Sequence, residues 1–193
     1  MLGKLKRITA TILAIATVVT SIPIINVAAA GNGEKKQAGI VTLGKLGTVN
    51  IGSKSGTWVK TLVDGNDVFC LDLGKACHTG YTYIASNSTI SSDSSNKKNA
   101  LEAKIGYWYD QTKTRSNKAW VYAQCLIWAV EEGITSETGL KDIIKQVKNN
   151  TGYYANDSLY ADIFEGTSVV KCTITKWKYS GKTDSDEVQE LME

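Results

Sequence analysis

The stretch "GTWVKTLVDGNDVFCLDLG", residues 56–74, holds two runs of β-branched and aromatic residues around Asp64-Gly65. An Asp-Gly pair suits the tight turn of a β-hairpin, because both turn positions need a positive φ. Side chains alternate faces along a strand, so Val68, Cys70 and Asp72 share one face, with Phe69, Leu71 and Leu73 on the other. Cys70 is therefore expected at a fixed place on a strand. Upstream, "GIVTLG" (39–44) and "GTVNIG" (47–52) read as further short strands punctuated by glycine.

Downstream the periodicity changes. "GYTYIA" (80–85) runs into "SNSTISSDSSNKK" (86–98), a polar stretch predicted to be a surface loop. "NALEAKIGYWYD" (99–110) has a helical pattern, with Asn99 and Glu102 placed as a capping box. "SNKAWVYAQCLIWAVEEG" (116–133) predicts a second helix, capped by Ser116 or Asn117 and stopped at Gly133. A third helix is expected over about 138–148. "TSVVKCTITKWKYSG" (167–181) returns to a period of two. Strands, then helices, then a strand define an α+β domain: a β-sheet or barrel-like set of strands with an inserted helical subdomain.

The N-terminus reads differently. Lys4, Lys6 and Arg7 precede an apolar run to about Val27 that ends on Ala28, Ala29 and Ala30, the pattern of an export signal. The run is long enough for an anchor, but Thr, Ser, Pro23 and Asn26 dilute it and its alanine-rich end suits a signal peptidase better. The expected organisation is a signal peptide over 1–30, one domain over 31–181, and an acidic tail over 182–193. The signal carries three of the 22 basic residues and none of the 19 acidic ones, so 19 of each sign remain. A balanced chain with no basic stripe argues against nucleic-acid binding. Membrane contact is expected only for the precursor during export. No sorting motif or apolar C-terminal anchor is apparent, which leaves a secreted or pilus-associated form, or a piece of a longer chain.

Export makes disulfides available to Cys70, Cys77, Cys125 and Cys172. "CLDLGKACH" brings Cys70, Cys77 and His78 close together, but not at the usual short spacing of a metal site. No metal or other cofactor is expected.

The second helix is apolar almost all round from Ala119 to Val130, so it should be buried. Gln124 lies within it, and an unpaired buried carboxamide costs on the order of 1–3 kcal/mol. A hydrogen bond to a strand edge would satisfy it. The alternative is chemical. A thiol beside a Gln carboxamide can attack the carbonyl and expel ammonia, leaving a thioester, provided the groups are held in place and shielded from water.

The motif pair resembles the thioester domains of Gram-positive surface adhesins and pilus-tip proteins. Their cysteine motif is an aromatic residue or Leu, Cys, then an apolar residue, as in Phe69-Cys70-Leu71. Their glutamine motif is apolar-Gln-x-x-apolar-Trp, as in Ala123-Gln124-Cys125-Leu126-Ile127-Trp128. The resemblance spans about 39–181 and implies a thioester between Cys70 and Gln124. It further implies a single-use binding module, not an enzyme. A lysine amine on a host surface or matrix protein would attack the acyl carbon, and pilus or cell-wall proteins are further expected partners. The implied location is secreted or at the cell surface. Phe69, Leu71, Ile127 and Trp128 would shield the bond. Asp72 shares the cysteine's face, and His78 is a candidate base without a named orienting partner.

Cys125 follows the glutamine directly and would point elsewhere from the helix. With Cys70 in a thioester three cysteines remain, so an odd thiol is expected, and Cys77–Cys172 and Cys77–Cys125 pairings both stay open. Two rival functions also stand. One is a non-covalent extracellular binding domain stabilised by disulfides. The other is a thiol hydrolase or acyltransferase using Cys70 or Cys125 with His78.

Overall fold

Asp64 and Gly65 both adopt positive φ, 52° and 82°, as a two-residue hairpin turn requires. The computed structural model describes residues 24–25, 30–43, 49–52, 54–56, 59–75, 77, 79–112, 116–151, 153, 155–166, 168–181 and 191–193. In chain order the first strands are β1 (Ile24–Ile25), β2 (Lys35–Thr42), β3 (Val49–Ile51), β4 (Lys54–Gly56), β5 (Val59–Val63), β6 (Asn66–Cys70) and β7 (Thr82–Ser91). The helices α1 (Lys97–Gln111), α2 (Asn117–Glu131), α3 (Glu137–Thr151) and α4 (Leu159–Phe164) follow, and β8 (Lys171–Tyr179) and β9 (Leu191–Met192) complete the order.

The strands close on themselves. The order β8-β7-β2-β5-β6-β9 returns to β8 through a β8–β9 pairing, and every contact in this ring is antiparallel. The result is a six-stranded barrel with all four helices inserted between β7 and β8, the α+β architecture expected from the sequence. β1 adds to β8 in parallel outside the ring. β3 and β4 form a separate small hairpin against α3, where the Asn50 amide donates to Gln146 Oε1 at 3.0 Å.

Three expectations change. The stretch 86–98 is not all loop: β7 runs to Ser91 and pairs residue by residue with β8, from Tyr83↔Tyr179 to Ser91↔Lys171. Its Ser, Asn and Thr residues alternate with too few apolar ones to look like a strand, yet Ala85 and Ile90 face the core and the neighbouring backbone supplies the hydrogen bonds. The cap of α1 is Asn96, not Asn99. Its side chain accepts from the Lys98 and Asn99 amides, which leaves Asn99 inside the helix and turns Glu102 into the core. The tail shows no structural signal in sequence, yet Leu191–Met192 form β9 and pair with both β6 and β8. Residues 182–190 lie outside the described residues, as does the predicted signal segment apart from Ile24–Ile25 and Ala30.

α2 organises the interior. Ser116 caps it by accepting from the Ala119 amide, and Gly133, at φ 84°, follows its end. Every residue from Ala119 to Val130 is buried, because α1, α3 and the strands β3, β5 and β6 pack around it. Each large apolar side chain enclosed this way contributes about 1.5–3 kcal/mol. α3 is amphipathic by contrast and buries only Leu140, Ile143 and Val147.

Candidate functional site

β6 ends at Cys70, where its hairpin partner diverges. The β5–β6 register runs Val63↔Asn66, Leu62↔Asp67, Thr61↔Val68. Continued, it would set Val59 opposite Cys70. Instead the Cys70 amide donates to Gln124 Oε1 at 2.7 Å, and Gln124 Nε2 donates to the Cys70 carbonyl at 2.8 Å. The side-chain carboxamide thus replaces a peptide group in the ladder. Gln124 is fully buried, and both functions of its amide are satisfied.

Helix geometry explains how α2 reads this strand. Trp120, one turn before Gln124, donates its indole N–H to the Val68 carbonyl at 3.2 Å. Four residues of helix advance about 6 Å, and two residues of strand advance about 6.8 Å. Side chains at i and i+4 of the helix therefore meet residues j and j+2 of the strand. This match holds the acyl carbon of Gln124 against the backbone of Cys70.

The sulfur lies on the barrel side. Cys70 Sγ is 3.5 Å from Thr61 Oγ1 on β5. Burial pushes the Cys70 thiol up to about 12; the Thr61 hydrogen bond opposes this, and Cys77 and Asp72 reinforce it. The resting sulfur is a neutral thiol sealed from water. Cys77, half-buried in the segment after β6, lies 3.6 Å from the Tyr83 hydroxyl. Burial raises its thiol, and hydrogen bonds from Tyr83 and Thr61 pull the other way.

Phe69 occupies the other face of β6, with the Tyr109 ring edge-on at 5.1 Å and Trp120 stacked at 6.2 Å. Leu71 is buried beyond the strand end, and Ile127 and Trp128 are buried on α2. Asp72 belongs to a turn: its carbonyl accepts from the Lys75 amide at 3.3 Å, and its carboxylate lies 3.4 Å from Lys75 Nζ. His78 lies outside the described residues. All four cysteines are thiols, so neither Cys77–Cys172 nor Cys77–Cys125 is formed. Cys125 is fully buried, and Cys172 faces the Ala103 carbonyl at 3.6 Å.

Sequence reasoning missed two contributors. Thr61 carries no motif and meets the sulfur only through the hairpin register. Trp120 had a signal, since it stands one turn from Gln124 on the same face. A third group lies behind Phe69: Lys60 Nζ pairs with Asp67 Oδ1 at 2.6 Å, and Tyr109 donates its hydroxyl to the same carboxylate.

A closed six-stranded barrel whose helical insertion carries a glutamine onto a strand-end cysteine is the class of domain defined here. No protein-family model matches the chain, and no curated protein matches it. Among solved structures, the thioester domain of the Staphylococcus aureus TIE protein aligns with 82% of this chain and 92% of its own, at 15% identity and a TM-score of 0.44. That likeness is one of outline only. No helix among the described residues is long and apolar enough to cross a membrane.

Proposed function

We propose that the chain is an exported, reactive binding module in which Cys70 and Gln124 form an internal thioester. The carrying observation is the fully buried Gln124 carboxamide clamped on the N–H and C=O of Cys70. The clamp keeps the acyl carbon next to the residue that bears the sulfur, so proximity replaces activation. Sγ attacks Cδ of Gln124, the C–Nε2 bond breaks, and the thiol proton leaves with the nitrogen as ammonia. The Thr61 hydroxyl, 3.5 Å from the sulfur, is the hydrogen-bonding group on the thiol. Burial of Phe69, Leu71, Ile127 and Trp128 keeps water from the bond.

In use, the amine of a lysine on a host surface or matrix protein attacks the same carbon. An amide forms to Gln124 and Cys70 is released as a thiol. The event happens once per molecule, without turnover. The reading includes removal of residues 1–30 on export and action at the cell surface or in the surrounding medium, with pilus or cell-wall proteins as further partners. Asp72 and His78 take no assigned step.

A second reading has a specific observation in its favour: the two hydrogen bonds satisfy Gln124 as a core residue without any chemistry. The domain would then bind partners non-covalently. Intact mass separates the two. The exported chain, purified without amines, should be lighter than its sequence by one ammonia and gain one methylamine on treatment. Both signals should vanish in Cys70→Ala and in Gln124→Ala, and digestion should place the methylamine on Gln124. A full sequence mass that methylamine leaves unchanged would return Gln124 to the core and leave non-covalent binding as the function.

A further inference from the structure

We propose that the cleft between α3 and the segment that leads into α4 is a docking site for an acidic, extended segment of the partner protein, held without a covalent bond. The inference rests on the reading of the chain as a module that captures a protein. Lys141, Lys145 and Lys148 stand three or four residues apart on α3, so they form one row along the helix. After α3 the chain folds back, and Ala155, Asn156, Asp157 and Tyr160 stand opposite that row. Together the two walls bound a cleft of about 400 Å³, a size typical of ligand pockets. A lysine row that only keeps a helix solvated needs no opposing wall.

The cleft is basic although the sequence beyond residue 30 is balanced in charge. Three lysines line it against a single carboxylate, Asp157. The Asp157 side chain is 95% exposed and lies 3.0 Å from Lys148 Nζ, a surface pair that an incoming carboxylate can replace. Among the described residues no carboxylate pairs with Lys145. Lys141 is engaged by Glu137 at 2.6 Å, and its ammonium lies 4.8 Å from the centre of the Tyr160 ring, which holds it at the cleft.

Spacing and lining select the ligand. Lys141 and Lys145 are about 6 Å apart along the helix axis, and alternate side chains of an extended segment are about 6.8 Å apart. Acidic residues at every second position therefore meet successive lysines. The Asn149 and Asn156 carboxamides each offer a donor and an acceptor to the main chain of such a segment, and Ile144 and Ala155 give it an apolar floor. A nucleic-acid base or a sugar ring held by stacking would need an open aromatic face. Tyr160 is already engaged, by Lys141 over its ring and by Phe164 at 5.0 Å.

The test uses the full exported chain and a fluorescein-labelled peptide of alternating glutamate and glycine, with binding read by anisotropy at low and at physiological salt. Saturable binding that weakens with salt is expected, since the charges are exposed. Lys145→Glu should weaken it about tenfold, because an attraction becomes a repulsion. Lys35→Glu, at an exposed position on β2, makes the same change in net charge and should leave binding unaltered. Equal weakening by the two variants, or no saturable binding at low salt, would overturn the proposal. So would a heparin fragment that binds and is lost in Lys145→Glu while the peptide does not bind, which would assign the cleft to a sulfated sugar. Methylamine incorporation at Gln124 reports separately on the thioester and should be the same in Lys145→Glu and the parent. Incorporation without peptide binding removes the docking site alone, and peptide binding without incorporation removes the covalent chemistry alone.

Discussion

Replacing Gln124 with Met in a Cys70→Ala background isolates the clamp from any covalent bond. The background keeps the backbone N–H and C=O of residue 70, which are what Gln124 holds at 2.7 and 2.8 Å. Met matches the glutamine in length and fills its space, but leaves a donor and an acceptor buried without partners. Each orphan costs about 1–3 kcal/mol, or about 2–6 kcal/mol together. Burying a thioether in place of an amide returns about 1–2 kcal/mol. Taking the middle of each range, the net loss should be about 2.5 kcal/mol, a large part of the stability of a domain this size. Urea denaturation followed by tryptophan fluorescence measures it directly. Gln124→Glu in the same background provides the control. As a neutral acid it accepts from the amide and donates its hydroxyl to the carbonyl, so both bonds survive. Burial raises its carboxyl above the unfolded value of about 4.3, so stability is full below that pH and is lost as pH rises through the folded pKa. A Met variant within about 0.5 kcal/mol of its parent, or a Glu variant indifferent to pH between 4 and 8, would refute the argument that the clamp is a stabilising element.

Thiol labelling should rank the cysteines by burial. In the Gln124→Glu variant at pH 8, iodoacetamide is expected to modify Cys77 well before Cys70, whose thiol is pushed up to about 12, as tandem mass spectrometry can score. Glu102 offers a pH effect. Burial, and then the neighbouring Glu131 that Lys98 also engages, raise its carboxyl. The stability it contributes is complete below the unfolded carboxylate pKa and declines as pH rises through the raised one, so thermal melts of Glu102→Gln should show a flatter profile than the parent from pH 5 to 8. Removing Lys60 with Lys60→Met leaves the Asp67 carboxylate enclosed beside Tyr109. Breaking such a pair one-sidedly should cost about 3–5 kcal/mol in urea melts, whereas Lys36→Met, which removes a more exposed pair to Asp64, should leave the melt almost unchanged.

The local signals in the sequence were strong where chemistry and geometry coincide. Asp64-Gly65 announces its hairpin because few residue pairs tolerate two positive φ values, and α2 announces its burial by lacking a polar face. The contact between Cys70 and Gln124 is different in kind. It is made across 54 residues by a helix docking on a strand end, and only the motif pairing hinted at it. Thr61 was invisible because register, not residue type, brings it to the sulfur. The strand character of residues 86–91 was hidden by their serines, and β9 by its brevity. Two residues form a strand only when other strands are already waiting on both sides.

That dependence on strands already in place bears on when the parts assemble. The long β7–β8 pairing brings together the entrance and exit of the helical insertion at Ser91 and Lys171, so the helices can be gathered as a unit. Closure of the ring waits for Leu191 to reach Cys70, a pairing of strands from distant parts of the chain. Non-local closures of this kind are slow steps in folding. The helix brings the carboxamide from one side of β6, and the closing strand seals the other. The cysteine's surroundings are complete only once that closing pair has formed, and a half-folded chain without it has not yet built the setting in which its sulfur and its glutamine meet.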